Sequence, residues 1–181
     1  VCDRYLEAVK PTIDDDPEYL LVLEARLRKR GYEVVPAGSG EEALAVLADQ
    51  SVDCILLDRS MAGIGGIATC KRIKESPVTR DTPLIIVTAT EQRDAVIEGL
   101  GAGADDFVSK ASGFDVLSAR IQAQLRRKQI EDEQRRVRDL HQEQAVFRNA
   151  PDRLQIGLAR QHVERVEHQP EDVAGRRHGI A

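Results

Sequence analysis

Cys54-Ile55-Leu56-Leu57-Asp58 places four apolar residues in an unbroken row ahead of a carboxylate. A run without alternation reads as a strand buried on both faces of a sheet. The polar, glycine-rich segment Arg59-Ser60-Met61-Ala62-Gly63-Ile64-Gly65-Gly66 follows it. In an open α/β sheet the ligand crevice lies just outside the carboxyl ends of the strands, so Asp58 stands at its floor. Alone, an Asp at a strand end is equally a turn residue. Its meaning depends on what the other strands bring to the same place.

Downstream, Pro83 introduces Leu84-Ile85-Ile86-Val87, a second wholly apolar strand that ends in Thr88-Ala89. A helix from Gly66 to Lys74 lies between the two strands, burying Ile67, Cys70 and Ile73. Arg93–Leu100 is helical and stops in Gly101-Ala102-Gly103. That glycine pair comes after a helix and before a strand, the reverse of a dinucleotide loop, and reads as a helix end. Asp105-Asp106-Phe107-Val108-Ser109 is a further strand with Lys110 at its end.

Upstream, Tyr32-Glu33-Val34-Val35 is a strand, and Gly38-Ser39-Gly40 leads into a helix with Ala43, Leu44 and Leu47 facing inward. Val9-Lys10-Pro11-Thr12-Ile13 is a first strand only partly apolar, and Pro11 cannot donate to a central ladder. Asp14-Asp15-Asp16-Pro17 closes it and opens a helix, with Asp16 as cap and Pro17 at the first helical position. Leu20, Leu23 and Leu27 form that helix's apolar face, and Gly31 ends it.

Five strands alternating with helices predict a doubly wound parallel sheet of the α/β class, in the flavodoxin-like order 2-1-3-4-5. Its crevice gathers Asp14, Asp15, Asp58, Thr88 and Lys110. Three converging carboxylates repel one another and call for a cation, and oxygen ligands without His or Cys favour Mg²⁺. Lys110 and the Thr88 hydroxyl supply donors for further oxygens. Such a site suits phosphoryl transfer, with an Asp as nucleophile.

Composition narrows the remaining classes. The chain has 181 residues, of which 41% are hydrophobic, enough for one domain with a proper core plus an extension. Only 3% are aromatic and none is Trp, against a stacking platform for single-stranded nucleic acid. Residues 1–125 carry a net charge of −7 and the remainder +2, which gives −5 in all, and the slightly basic remainder lacks a nucleic-acid footprint. Cys2, Cys54 and Cys70 have no metal spacing, and Cys54 lies in the buried strand, as suits reduced thiols in the cytoplasm. No apolar run nears the roughly 18 residues needed to span a bilayer. No signal peptide is visible, and Val1 suggests a trimmed start.

Asp14-Asp15, Leu57-Asp58, Val87-Thr88-Ala89, and Phe107 with Lys110 together resemble, in order and spacing, the response-regulator receiver (CheY-like) domain of two-component phosphorelay signalling. The resemblance covers about residues 10 to 128 and puts the domain at 1–128. It implies that Asp58 accepts phosphate from a histidine kinase or a histidine phosphotransfer protein. It further implies Mg²⁺ (or Mn²⁺) held by Asp15, Asp58 and the backbone carbonyl of Ser60, with Asp14 acting through water. Thr88 and Lys110 would bind the acyl phosphate, and Phe107 with Thr88 would form the switch. A cytoplasmic protein without direct nucleic-acid or membrane binding is implied, one that assists its own phosphorylation and slow dephosphorylation and is not a stand-alone enzyme.

Three features depart from the family pattern. Ala62 stands where a Pro usually follows the Met of the loop, and Ala111 replaces the Pro usually found after the Lys, so no cis bond is expected there. The first strand offers only Thr12-Ile13 directly before the acidic pair, as though about three residues were missing. That shortness keeps open an alternative, a phosphorylation-independent pseudo-receiver that acts as a docking module. A Mg²⁺-dependent aspartyl phosphatase would place a second acid where Ser60 stands.

Phe114 to about Gln144 reads as one long helix, with Leu117, Ile121 and Leu125 packed on the receiver. Ile130, Val137, Leu140 and Phe147 follow at spacings of seven, three and seven, which suits a short parallel coiled-coil seam and a homodimer, or else a solvated helix. Residues 129–148 are accordingly read as a helical extension, and 149–181 as a loosely helical or disordered tail. Receivers with such extensions resemble those that feed a kinase or cyclase, so the receiver piece of a hybrid histidine kinase or of a cyclase is a further alternative. His141 is read as a surface residue.

Overall fold

The computed structural model describes residues 9–89 and 93–149. Expectations about residues 1–8, Cys2 included, and about the tail from 150 on lie outside the described residues. The order is β1 (Val9–Ile13), α1 (Pro17–Lys29), β2 (Glu33–Ala37), α2 (Gly40–Asp49), β3 (Ile55–Asp58), α3 (Gly65–Glu75), β4 (Leu84–Thr88), α4 (Arg93–Gly101), β5 (Asp106–Ser109) and α5 (Phe114–Asn149). A short 3-10 turn, Lys110–Ser112, joins β5 to α5. The sheet is parallel throughout, in the expected order β2-β1-β3-β4-β5.

β3 and β4 are buried at every position, as their unbroken apolar runs require. One core layer holds Leu23, Leu27, Leu56, Ile85, Val87, Leu117, Ile121 and Leu125. The other holds Ile13, Ala43, Leu47, Ile55, Leu57, Cys70, Ile73 and Ile86. Leu44 and Ile67, expected inside, are half-buried at the edge of this second layer.

The first strand forms despite its composition. All five residues of β1 pair with β2, whereas only Thr12 and Ile13 pair with β3. Pairing with the central strand is thus confined to the residues beyond Pro11, whose missing N–H would interrupt that ladder. α1 starts as expected, since Asp16 accepts from the N–H groups of Glu18 and Tyr19 and Pro17 takes the first helical position. It ends at Gly31, whose φ of 84° favours glycine.

Several boundaries move: β3 takes in Asp58 and leaves out Cys54, β5 starts at Asp106 instead of Asp105, α3 gains Gly65 and Glu75, and α4 gains Gly101. β2 begins one residue later than expected and runs on to Ala37, because Pro36 sits on an edge strand where no donor is needed. α5 continues to Asn149.

Contacts divide the chain into two compact units, Val1–Glu131 and Asp132–Ala181. The sheet and everything at its crevice belong to the first. In the second, Val137 and Leu140 are exposed. Among the described residues, no helix is long and apolar enough to cross a membrane.

Candidate functional site: the acidic crevice

Four strands deliver polar groups to the carboxyl edge of the sheet. Asp14 leaves β1 with its N–H donating to the Ala37 carbonyl at 3.1 Å, and it is only 2% exposed. Asp58 ends β3 at 4% exposure, fixed by the ladder to Val87 and by Arg59 N–H donating to the Val87 carbonyl. Thr88, buried, closes β4 one register step further on, opposite Ser109 of β5. Lys110 follows β5 directly, where the Ser109 hydroxyl accepts from Ala111 N–H and starts the 3-10 turn. No cis peptide occurs among the described residues, so Ala111 follows Lys110 through a trans bond.

The sequence placed Asp14, Asp15 and Asp58 together, and they are together. One carboxylate oxygen from each lies within 4.8 Å of the others, a donor set of hard oxygens that fits Mg²⁺. Asp14 and Asp58 are buried and Asp15 is exposed, so the cluster opens toward solvent through Asp15. Each acid is also oriented. Asp14 Oδ1 accepts from Asp16 N–H at 3.0 Å, Asp15 Oδ2 from Ala62 N–H at 2.9 Å, and Asp58 Oδ2 from Ser60 N–H at 3.1 Å. Ala62, where a proline has no N–H to give, therefore supplies the donor that ties Asp15 to the loop.

Lys110 Nζ lies 2.6 Å from Asp14 Oδ2 and 3.2 Å from Asp58 Oδ1. Burial alone would lower its pKa, but hydrogen bonding and charge from the two acids outweigh burial and leave it above the ordinary lysine value. At Asp58 the balance runs the other way. Burial, then the Asp14 charge, push its pKa above the ordinary aspartate value despite Lys110 and the Ser60 N–H.

Three further features were not read from the sequence. Gly66, in the first turn of α3, lies so close to β3 that an added Cβ would collide with the Asp58 carbonyl oxygen, so the close approach requires glycine. Arg59 pairs with Glu98 of α4 at 2.9 Å, a tie across the crevice. Tyr19, on the first turn of α1, sets its ring 4.3 Å from Lys110 Nζ. Its only sequence signal was a helix starting at the crevice end of β1. Phe107 is half-buried against the second core layer and lines a cavity of about 210 Å³ with Val96, Val116 and Arg120.

The family model of the response regulator receiver domain matches residues 12–122. The chain belongs to the response-regulator receiver family. It is 37% identical over 142 residues to the response regulator PleD of Caulobacter vibrioides, covering 78% of this chain and 31% of that protein. It is 42% identical over 115 residues to the transcriptional regulatory protein AfsQ1 of Streptomyces coelicolor, covering 64% of this chain and 50% of that one. The receiver chain thus spans half or less of the length of these relatives. Among solved structures, a putative response regulator from Chloroflexus aurantiacus superposes with a TM-score of 0.64 at 35% identity, covering 66% of this chain and 98% of the other. The response regulator TrrA of Thermotoga maritima, solved with Mg²⁺ and BeF, superposes at 0.59 and 29% identity, covering 65% and 98%.

Proposed function

We propose that this receiver takes a phosphoryl group onto Asp58 from the phosphohistidine of a histidine kinase or a histidine phosphotransfer protein. The observation that carries the reading is the convergence of three carboxylates with Lys110 around Asp58. Asp15, Asp58 and the Ser60 carbonyl hold Mg²⁺ (or Mn²⁺), and Asp14 acts through water. When bound, the metal supplies positive charge for the phosphoryl oxygens. Asp58 provides the attacking oxygen, Lys110 donates to an oxygen of the acyl phosphate, and Thr88 provides a hydroxyl. Burial of Asp58 keeps bulk water from the product. The domain assists its own phosphorylation and slow dephosphorylation and is not a stand-alone enzyme.

In this reading 1–128 is the receiver, 129–148 a signalling helix and 149–181 a tail of a cytoplasmic protein. Its output passes through the face built by α4, β5 and α5, where Phe107 and Thr88 form the switch, to a second copy of the chain or to a kinase or cyclase domain. No nucleic acid is bound directly. The test is intact mass after incubation with acetyl phosphate and Mg²⁺. One phosphate should appear on the wild-type chain and none on Asp58→Asn. A full shift in the variant sinks the assignment, and no shift in either supports a pseudo-receiver.

A further inference from the structure

Lys110 has a third neighbour besides its two carboxylates. Nζ sits 4.3 Å from the centroid of the Tyr19 ring, close enough for a cation held on an aromatic face. The backbone of Tyr19 is fixed at the start of α1, where its N–H donates to Asp16 Oδ1 at 3.2 Å. Its ring is half-buried against the first core layer. With Lys110, Leu23, Val87 and Phe114 it lines a small cavity of about 70 Å³.

The two kinds of contact differ in what happens when the site is used. Asp14 and Asp58 also belong, with Asp15, to the acid cluster that fits a divalent cation. A metal there takes up their charge and repels the ammonium. The ring carries no charge and offers no strong ligand to a hard cation, so its hold on Lys110 persists through the exchange. We propose that Tyr19 is a positioning residue for Lys110, its ring face holding the ammonium beside Asp58 while the carboxylates are given over to metal and phosphoryl group. The proposal rests on the reading of Asp58 as phosphoacceptor.

A plain core role predicts something different, since a leucine of similar bulk would then serve as well. Four variants of the full chain separate the two: Tyr19→Phe, Tyr19→Leu, Lys110→Ala, and Tyr19→Leu with Lys110→Ala. With acetyl phosphate and Mg²⁺, Tyr19→Phe keeps the ring and should react within about twofold of wild type, whereas Tyr19→Leu should be about tenfold slower. In the Lys110→Ala background, Tyr19→Leu should cost nothing more.

A second measurement needs neither metal nor phosphate. Lys110→Ala should shift the tyrosine absorption band of the metal-free wild-type chain, and should not shift it in a Tyr19→Phe background. Wild-type rates in Tyr19→Leu, equal losses with and without Lys110, or a tyrosine band indifferent to Lys110 would each overturn the proposal. A wild-type chain that takes no phosphate would overturn the receiver reading, while the spectral arm would still decide whether the ring holds the ammonium.

Discussion

Lys110 holds Asp14 more closely than Asp58, at 2.6 Å against 3.2 Å. Its ammonium therefore neutralises the acid cluster as a whole rather than serving the phosphoacceptor alone. Removing it should have opposite effects on two measurements. Lys110→Ala should bind Mg²⁺ roughly threefold to tenfold more tightly, because a competing positive charge a few ångströms away is gone. The same variant should be phosphorylated far more slowly, since a donor to the phosphoryl oxygens is lost. Metal titration followed by tyrosine emission, with phosphorylation timed by intact mass, checks both. A fall in metal affinity would show that the ammonium does not compete for the cluster.

The acids are not equivalent either. Asp15 is the exposed member, tied to the loop through the Ala62 N–H. Asp15→Ala should lose most of the Mg²⁺ affinity, about tenfold or more, because a hard cation loses one of its carboxylates. Ser60→Ala should bind nearly normally, as only a backbone oxygen is asked of that position. Equal affinities in a calorimetric titration would contradict this ligand set.

Burial raises the Asp58 pKa in the folded chain above its unfolded value, with the Asp14 charge adding to it. The sign of the linkage follows. The fold binds the Asp58 proton more tightly than the unfolded chain does, so this contribution to stability is present below the unfolded pKa. It is lost as pH rises through the folded pKa. At neutral pH and without metal, the buried Asp58 is therefore a burden. Asp58→Asn should raise the midpoint of thermal unfolding by a few degrees at pH 7, and the gain should shrink toward pH 4. A lower midpoint at pH 7 would mean that Lys110 more than offsets the burial.

The fold was legible where burial on both faces leaves one pattern. Cys54–Leu57 and Leu84–Val87 are short unbroken apolar runs followed by turn residues, the pattern a central parallel strand requires, and the acids and Lys110 followed from their positions at strand ends. β1 was the hard element, because the sheet accepts Pro11 and Thr12 through pairing that sequence period does not reveal. The Tyr19 ring and the Arg59–Glu98 pair join elements distant in the chain, and no local signal marks which residues meet.

Thr12 gives β1 its own test. Its hydroxyl is buried, and among the described residues its oxygen has no hydrogen-bond partner. An unmet hydroxyl in the core is a cost, and valine has nearly the same shape. Thr12→Val should stabilise the chain by about 1 kcal/mol in urea unfolding without altering phosphorylation. A loss of stability would show that the hydroxyl is satisfied in solution.

The last prediction concerns output. Phosphate on Asp58 adds charge and acceptor oxygens, and Thr88, buried at the adjacent strand end, would reach them by moving toward Asp58. Phe107, on the next strand and half-buried beside a cavity, is placed to fill the space left behind. On the reading proposed above, the altered surface would be the one made by α4, β5 and α5. Helix α5 carries Ile130, Val137 and Leu140, all exposed, at the spacing of a parallel seam. The fourth seam position, Phe147, has a side chain outside the described residues. Phosphate can bias such pairing only by its differential affinity for the two states. Phosphorylation, or beryllofluoride with Mg²⁺, should therefore change the self-association of the full chain in sedimentation. Val137→Asp with Leu140→Asp should remove that response while leaving phosphorylation of Asp58 intact, because both positions lie in the unit that holds none of the crevice residues. One unchanged species with and without beryllofluoride would mean that the helix is a solvated tether and that the output passes elsewhere.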